Sequence, residues 1–275
     1  MSLESPLFAV DLFHHVMDGY HLSWLDNFDF FGFHLPHWMS KFMLLQLIVA
    51  GLILLIYLPI GRAARNGGAP KGLMWNTFEV LLTFVREKIA KTTIGEHEAD
   101  RYVPFLWTIF LFVLFCNLLG MFPGLGSPTG SLSVTVVLAL FAFICVHGSA
   151  IRKLGFAGYA RSFVPHLGQL PYGLTVPVTV LVSAIEVLST FIKGAVLAIR
   201  LFGNMFAGHM ALASVLGFIA MSKYAGWYLS GPITVGSILI IFGVSLLELF
   251  VALLQAYVFT FLTSLFLGLA LHPHH

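Results

Sequence analysis

Charge is what this sequence has least of. Charged side chains make up 9% of its 275 residues, hydrophobic ones 59%, and mean hydropathy is +0.93. A soluble domain carries about 25% charged residues, so the composition excludes a soluble enzyme or binding module and points to a chain whose solvent is lipid. Cysteine is nearly absent. Cys116 and Cys145 both lie in apolar stretches and read as small packing residues, so no disulfide framework exists. No Lys or Arg precedes Lys41, which leaves no positive region for a cleavable signal peptide. A basic cluster of the kind that binds nucleic acid is missing, and the net charge of +2 says little about partners. No Gly-x-x-x-x-Gly-Lys-Ser/Thr loop occurs, so direct nucleotide binding is not expected. The histidines at His14–His15, His34/His37 and His272, His274 and His275 have no recognised ligand spacing. Neither metal nor cofactor is expected.

What is present is long apolar runs. Backbone groups inside a bilayer must be satisfied internally, by helices or a closed barrel. These runs are continuous rather than alternating, which favours helices. The expected fold is an all-α polytopic membrane protein of about five or six helices. Residues 1–40 form an acidic, aromatic-rich segment without basic residues. A span over about 42–60 ends at the charged, turn-rich stretch holding Arg62, Arg65 and Lys71. Trp75, Phe78, Leu82 and Val85 recur at helical spacing against Glu79, Arg86, Glu87 and Lys88, so 74–101 reads as an amphipathic surface helix. Residues 102–151 hold no charge. Pro123-Gly124 and Ser127-Pro128-Thr129-Gly130 divide them into spans over about 104–121 and 131–149. Arg152, Lys153 and Arg161 follow. The positive-inside rule puts the two basic breaks on the cytoplasmic side and the N-terminus and the neutral turn outside.

The last hundred residues differ. Segments 173–221 and 234–271 are far longer than a ~30 Å hydrocarbon core requires. No turn cluster divides them, so they read as one long tilted helical hairpin turning near residue 228. Residues 41–271 then make a single membrane domain.

Polar residues inside this hairpin are few. Arg200 is the most costly: an arginine keeps its proton when buried, and at a helix centre it costs roughly 2.5–3.5 kcal/mol on insertion scales. Glu186 lies fourteen residues earlier, within about 40° on the same face and roughly 21 Å along the axis. Asn204 is one turn past Arg200, and His209 points to the opposite face. Folding the hairpin at 228 sets His209 level with Glu248, and Arg200 level with Gln255. A histidine beside a glutamate in a low-dielectric site can pass a proton. Plainer readings stand beside these. Arg200 could pair with Glu248 or lipid phosphate; His209 could be structural; Glu186 could be interfacial. Asn204 and Gln255 could be hydrogen-bond glue between helices. Lys193 reads as snorkelling, and Asn117, His147 and Thr135 as packing residues. A self-contained transporter would need two comparable repeats or broken midplane helices, and neither is visible. A haem protein would need paired histidines in the spans, where only His147 and His209 stand.

The run Ala198-Ile199-Arg200-Leu201-Phe202-Gly203-Asn204-Met205-Phe206-Ala207-Gly208-His209 resembles subunit a of F-type ATP synthases. Glu186 and Leu254-Gln255-Ala256-Tyr257-Val258-Phe259 match the same family. So do Thr77-Phe78-Glu79 to Arg86, Pro104 to Phe122 and Pro128-Thr129-Gly130 to Leu138, and the resemblance covers about residues 40–271. It implies a stator subunit whose hairpin lies beside a c-ring, with b-type peripheral stalk subunits, lipid and protons as partners. By position it makes Arg200 the essential charge facing the c-ring carboxylate. It makes Asn204, His209, Glu248 and Gln255 the inlet half-channel, and Glu186 and Ser189 the outlet. His209 and Glu248 exchange the Glu and His of the enterobacterial pattern, and Ser131 and Ser133 stand where many members carry Asp and Asn. The resemblance also implies a bacterial inner membrane in preference to a mitochondrial one, with the N-terminus outside and the C-terminus cytoplasmic. Sodium coupling is the nearest alternative within the family.

Overall fold

A computed structural model describes residues 41–65, 72–121, 128–163, 172–222 and 227–272. The acidic segment 1–40 with its paired histidines, Lys71, the turn at Pro123–Gly124, the tip of the hairpin turn at 223–226, His274 and His275 lie outside them.

Six helices account for nearly all the described residues, and no strand occurs among them. Helix α1 (Lys41–Arg65) buries Leu45, Val49 and Ile53, one residue per turn on a single stripe. Helix α2 (Leu73–Phe84) continues through a π-helical turn (Val85–Ala90) and a last α turn (Lys91–Ile94). Its inward residues are Trp75, Phe78, Leu81 and Val85; Leu82, expected on that stripe, faces outward. The amphipathic helix expected over 74–101 stops at Gly95, whose φ of 102° is open to glycine and strained for other residues. A lone glycine is tolerated inside a helical pattern, so its presence in the sequence does not by itself reveal the break.

Helix α3 (Glu96–Gly120) therefore starts earlier than expected, with Glu96 and Glu98 in its first turn, where carboxylates favour the positive helix end. Helix α4 (Leu132–Arg161) runs past the basic residues expected to end it and breaks at Gly155 (φ 73°). Helices α5 (Tyr172–Ser222, 51 residues) and α6 (Trp227–Leu271, 45 residues) are the long pair, about 76 and 68 Å at 1.5 Å per residue. Gly231-Pro232, expected to precede α6, lies inside its opening turns. As the sixth residue of α6, Pro232 forgoes one intrahelical hydrogen bond, a loss confined to the helix's opening turns. Four helical stretches, Glu96–Gly120, Leu132–Tyr159, Pro177–Gly217 and Gly231–Leu271, are long and apolar enough to cross a membrane, and Met43–Pro59 is a shorter one. The chain is an all-α polytopic membrane protein.

It packs as two units, and α3, α4, α5 and α6 each contribute a part to both. One comprises Met1–Arg65, Leu111–Val134 and Leu201–Ala256. Within it α1 packs on the 3₁₀ turn Pro128–Gly130. The fully buried Asn117 accepts a hydrogen bond from Thr129 Oγ1 (2.7 Å) and donates to the Ala252 carbonyl (3.4 Å). The other comprises Asn66–Phe110, Thr135–Arg200 and Tyr257–His275. There Ser264 hydrogen-bonds Thr93, whose hydroxyl also donates to the Ile89 carbonyl (2.8 Å). A Cβ at Gly268 would overlap the Thr93 carbonyl, so only glycine lets the two backbones approach so closely. Arg86 pairs through two nitrogens with Asp100, and Lys153 with Glu98 at 2.6 Å.

Along α6 itself, Ala252, Ala256, Thr260, Ser264 and Gly268 recur every fourth residue, and all five are buried. Lipid tails leave no hydrophobic drive between helices, so association rests on close contact and hydrogen bonds, for which small residues are suited.

Candidate functional site

Four of the residues singled out from the sequence fall in the first unit, on the Leu201–Ala256 part of the hairpin. Asn204 Nδ2 donates to Gln255 Oε1 at 2.8 Å, joining α5 to α6. Glu248 is 5% exposed, and its carboxyl presses on Gly208, where an added Cβ would collide with it. Glu248 is thus level with the residue beside His209, close to the depth expected of it. No hydrogen bond joins the two. His209 Nε2, both Glu248 carboxyl oxygens and Gln255 Nε2 are buried without a partner among the described residues. Leaving a buried polar group unpaired costs about 1–3 kcal/mol, and more for a charge. A cluster of this kind inside one core is a poor structural device and needs another reason to exist.

The second unit holds Glu186, Ser189 and Arg200. Glu186 is exposed and lines a cavity of about 260 Å³. Thr190 and Lys193 of α5, His147 and Tyr159 of α4 and His272 beyond α6 line it too. Space of this size with several polar walls can hold water. Ser189 is half-buried and is not one of its lining residues. Lys193, expected to snorkel, lines the cavity with Nζ 5.8 Å from the Phe266 ring centre, a cation–π distance. His147, expected to be a packing residue, bonds Tyr159 Oη through Nδ1. Sequence reasoning missed this group because α4 and α5 residues meet only in the fold. The three-to-four-residue spacing of Glu186, Thr190 and Lys193 was the one available signal.

Arg200 does not line this cavity. It is exposed, and among the described residues its guanidinium makes no ion pair or hydrogen bond. Its exposed neighbours on α5 include Ile192 (52%), Val196 (43%) and Ile199 (60%). A permanent cation thus stands among apolar side chains, with Lys193 and Asn204 the exposed polar residues nearest it on that face.

The sequence pattern described as "ATP synthase A chain" matches residues 43–268. The chain is 38% identical over 279 residues to ATP synthase subunit a of Chloroherpeton thalassium, spanning 97% of this chain and 78% of that protein. It is 37% identical over 290 residues to ATP synthase subunit a of Anaeromyxobacter dehalogenans strain 2CP-C, spanning 98% of this chain and 72% of that one. With its counterpart in strain 2CP-1 it shares 45% over 206 residues, 74% of this chain and 50% of that protein. With 226 of its residues inside the matched pattern (268 − 43 + 1), the chain belongs to the ATP synthase A chain family.

Proposed function

We propose that this chain is the proton-translocating stator subunit of an F-type ATP synthase, working beside a c-ring and held by b-type peripheral stalk subunits. Arg200 carries the reading: an exposed guanidinium in a largely apolar helix that pairs with no anion among the described residues. In lipid such a cation requires a partner, and a carboxylate on a passing rotor subunit supplies one. Glu248, His209, Asn204 and Gln255 form the inlet half-channel, loaded from the outside. The buried polar atoms of Glu248, His209 and Gln255 that have no partner among the described residues suit groups that exchange protons and water. Glu186, with Ser189 close by, serves the outlet on the cytoplasmic side. Arg200 attracts the deprotonated carboxylate and, never losing its own proton, bars direct passage from one path to the other. A proton crossing 100 mV releases about 2.3 kcal/mol, so several must cross per ATP. The chain performs no nucleotide chemistry itself. Its N-terminus lies outside, its C-terminus in the cytoplasm, and the membrane is a bacterial inner membrane.

The test is Arg200→Ala in the assembled synthase. Coupled ATP synthesis and ATP-driven proton pumping should both disappear while the complex still assembles. Normal pumping in that variant overturns the reading. Pumping by the unaltered complex should persist without sodium ions; a strict sodium requirement replaces the proton with sodium.

A further inference from the structure

His147 and Tyr159 are twelve residues apart on α4, which in an unbroken helix would separate them by about 18 Å. They are nevertheless hydrogen-bonded, Tyr159 Oη to His147 Nδ1. The break at Gly155 (φ 73°, ψ 162°) folds the end of α4 back and makes the contact. Ser162 Oγ donates to the Tyr159 carbonyl at 2.7 Å, within the turn that ends α4. Both rings line the cavity that Glu186 lines. The wall continues to Ser162, just past the end of α4, and to His272, just past the end of α6. The cavity therefore runs from mid-helix residues toward helix ends. The ionisable groups that share it with His147 are Tyr159 on α4, Glu186 and Lys193 on α5, and His272. His272 and Lys153 both lie against Glu98.

We propose that His147 is a second proton-exchanging group of this cavity and that Tyr159 is its positioning residue. The proposal rests on the reading of Glu186 as an outlet group. A proton released at Glu186 is taken up on His147 Nε2, forming an imidazolium whose Nδ1–H donates to Tyr159 Oη. Loss of a proton to water toward the helix ends restores the neutral ring, with no other bond made or broken. Imidazole suits the step because it titrates near physiological pH and takes and gives protons at two nitrogens. A purely structural histidine would instead pin the Gly155 fold through Tyr159.

Passive proton conductance of the membrane sector, in vesicles carrying the assembled complex stripped of its catalytic sector, separates these possibilities when measured against pH. His147→Gln should lower conductance several-fold and remove the inflection in the range where imidazoles titrate. Tyr159→Phe should have a milder effect and keep an inflection, displaced from its original pH. Glu186→Gln combined with His147→Gln should be little worse than the stronger single change, since both lie on one path. Unchanged conductance and pH profile in His147→Gln overturn the proposal. So do equal losses in His147→Gln and Tyr159→Phe with the profile's shape preserved, which indicate a pin. Normal conductance in Glu186→Gln beside a loss in His147→Gln removes Glu186 from the outlet and leaves His147 in it. If His147→Gln does not assemble, Tyr159→Phe decides: a displaced inflection supports the proposal and an unmoved one overturns it.

Discussion

The cluster around Glu248 and the cavity beside Glu186 handle buried polarity in opposite ways. Around Glu248 the polar atoms are packed in: the carboxyl presses on Gly208, Gln255 is fully buried, and four polar atoms have no partner among the described residues. Beside Glu186 the polar groups stand around open space of about 260 Å³, and Glu186 itself is exposed. A tight cluster moves a proton from one named side chain to the next, so each member matters. A roomy polar cavity lets water carry the proton between side chains, so the loss of any one of them is partly made good by water. The difference teaches where the chain should be fragile and where tolerant.

The largest effect expected from this comparison is at Glu248. Glu248→Gln keeps the volume and removes the titrating group. Acid–base groups typically contribute factors of 10² or more; even with water assisting, passive proton conductance should fall about tenfold or further. An unchanged conductance would show that the packed cluster is structural, and the contrast with the cavity would collapse.

A smaller effect is expected at Gly208. Its missing Cβ is the space the Glu248 carboxyl occupies. Gly208→Ala should displace the carboxyl rather than the helices, because the end of a glutamate side chain is the softer partner. Conductance should fall a few-fold, and the loss should vanish in a Glu248→Gln background if displaced acid is its cause. Fully additive losses in the double variant would mean that the glycine acts through helix packing.

These residues also show what could be seen in the sequence. The fold class follows from composition and uninterrupted apolar runs. The hairpin register follows from counting residues about a turn near 228: Glu248 sits against Gly208, beside the residue paired with it by count, and Gln255 reaches Asn204, one turn beyond Arg200 in sequence. Gly95 was hidden because a lone glycine is tolerated inside a helical pattern, and the Gly155 fold because the basic residues before it read as a loop. The four-residue repeat from Ala252 to Gly268 was visible in the sequence, but small residues carry no hydropathy signal. His147 could not be assigned, since its partner Tyr159 is brought to it only by a backbone break.

The smallest effect is expected at Glu186. The cavity's walls carry Thr190, Lys193, His147 and His272 as well, and water can bridge them. Glu186→Gln should therefore reduce passive proton conductance only a few-fold, less than Glu248→Gln does. Filling the space is a sharper probe than removing the charge. Gly194 lines the cavity, and a Cβ there would meet only the Phe143 ring, at an ordinary 3.5 Å. Gly194→Leu should thus be accommodated by the fold while taking up room that water would use. If water carries the proton, Gly194→Leu should lower conductance more than Glu186→Gln, although it removes no polar group. If Glu186→Gln is the more damaging of the two, the cavity works residue by residue like the cluster around Glu248, and its volume is incidental.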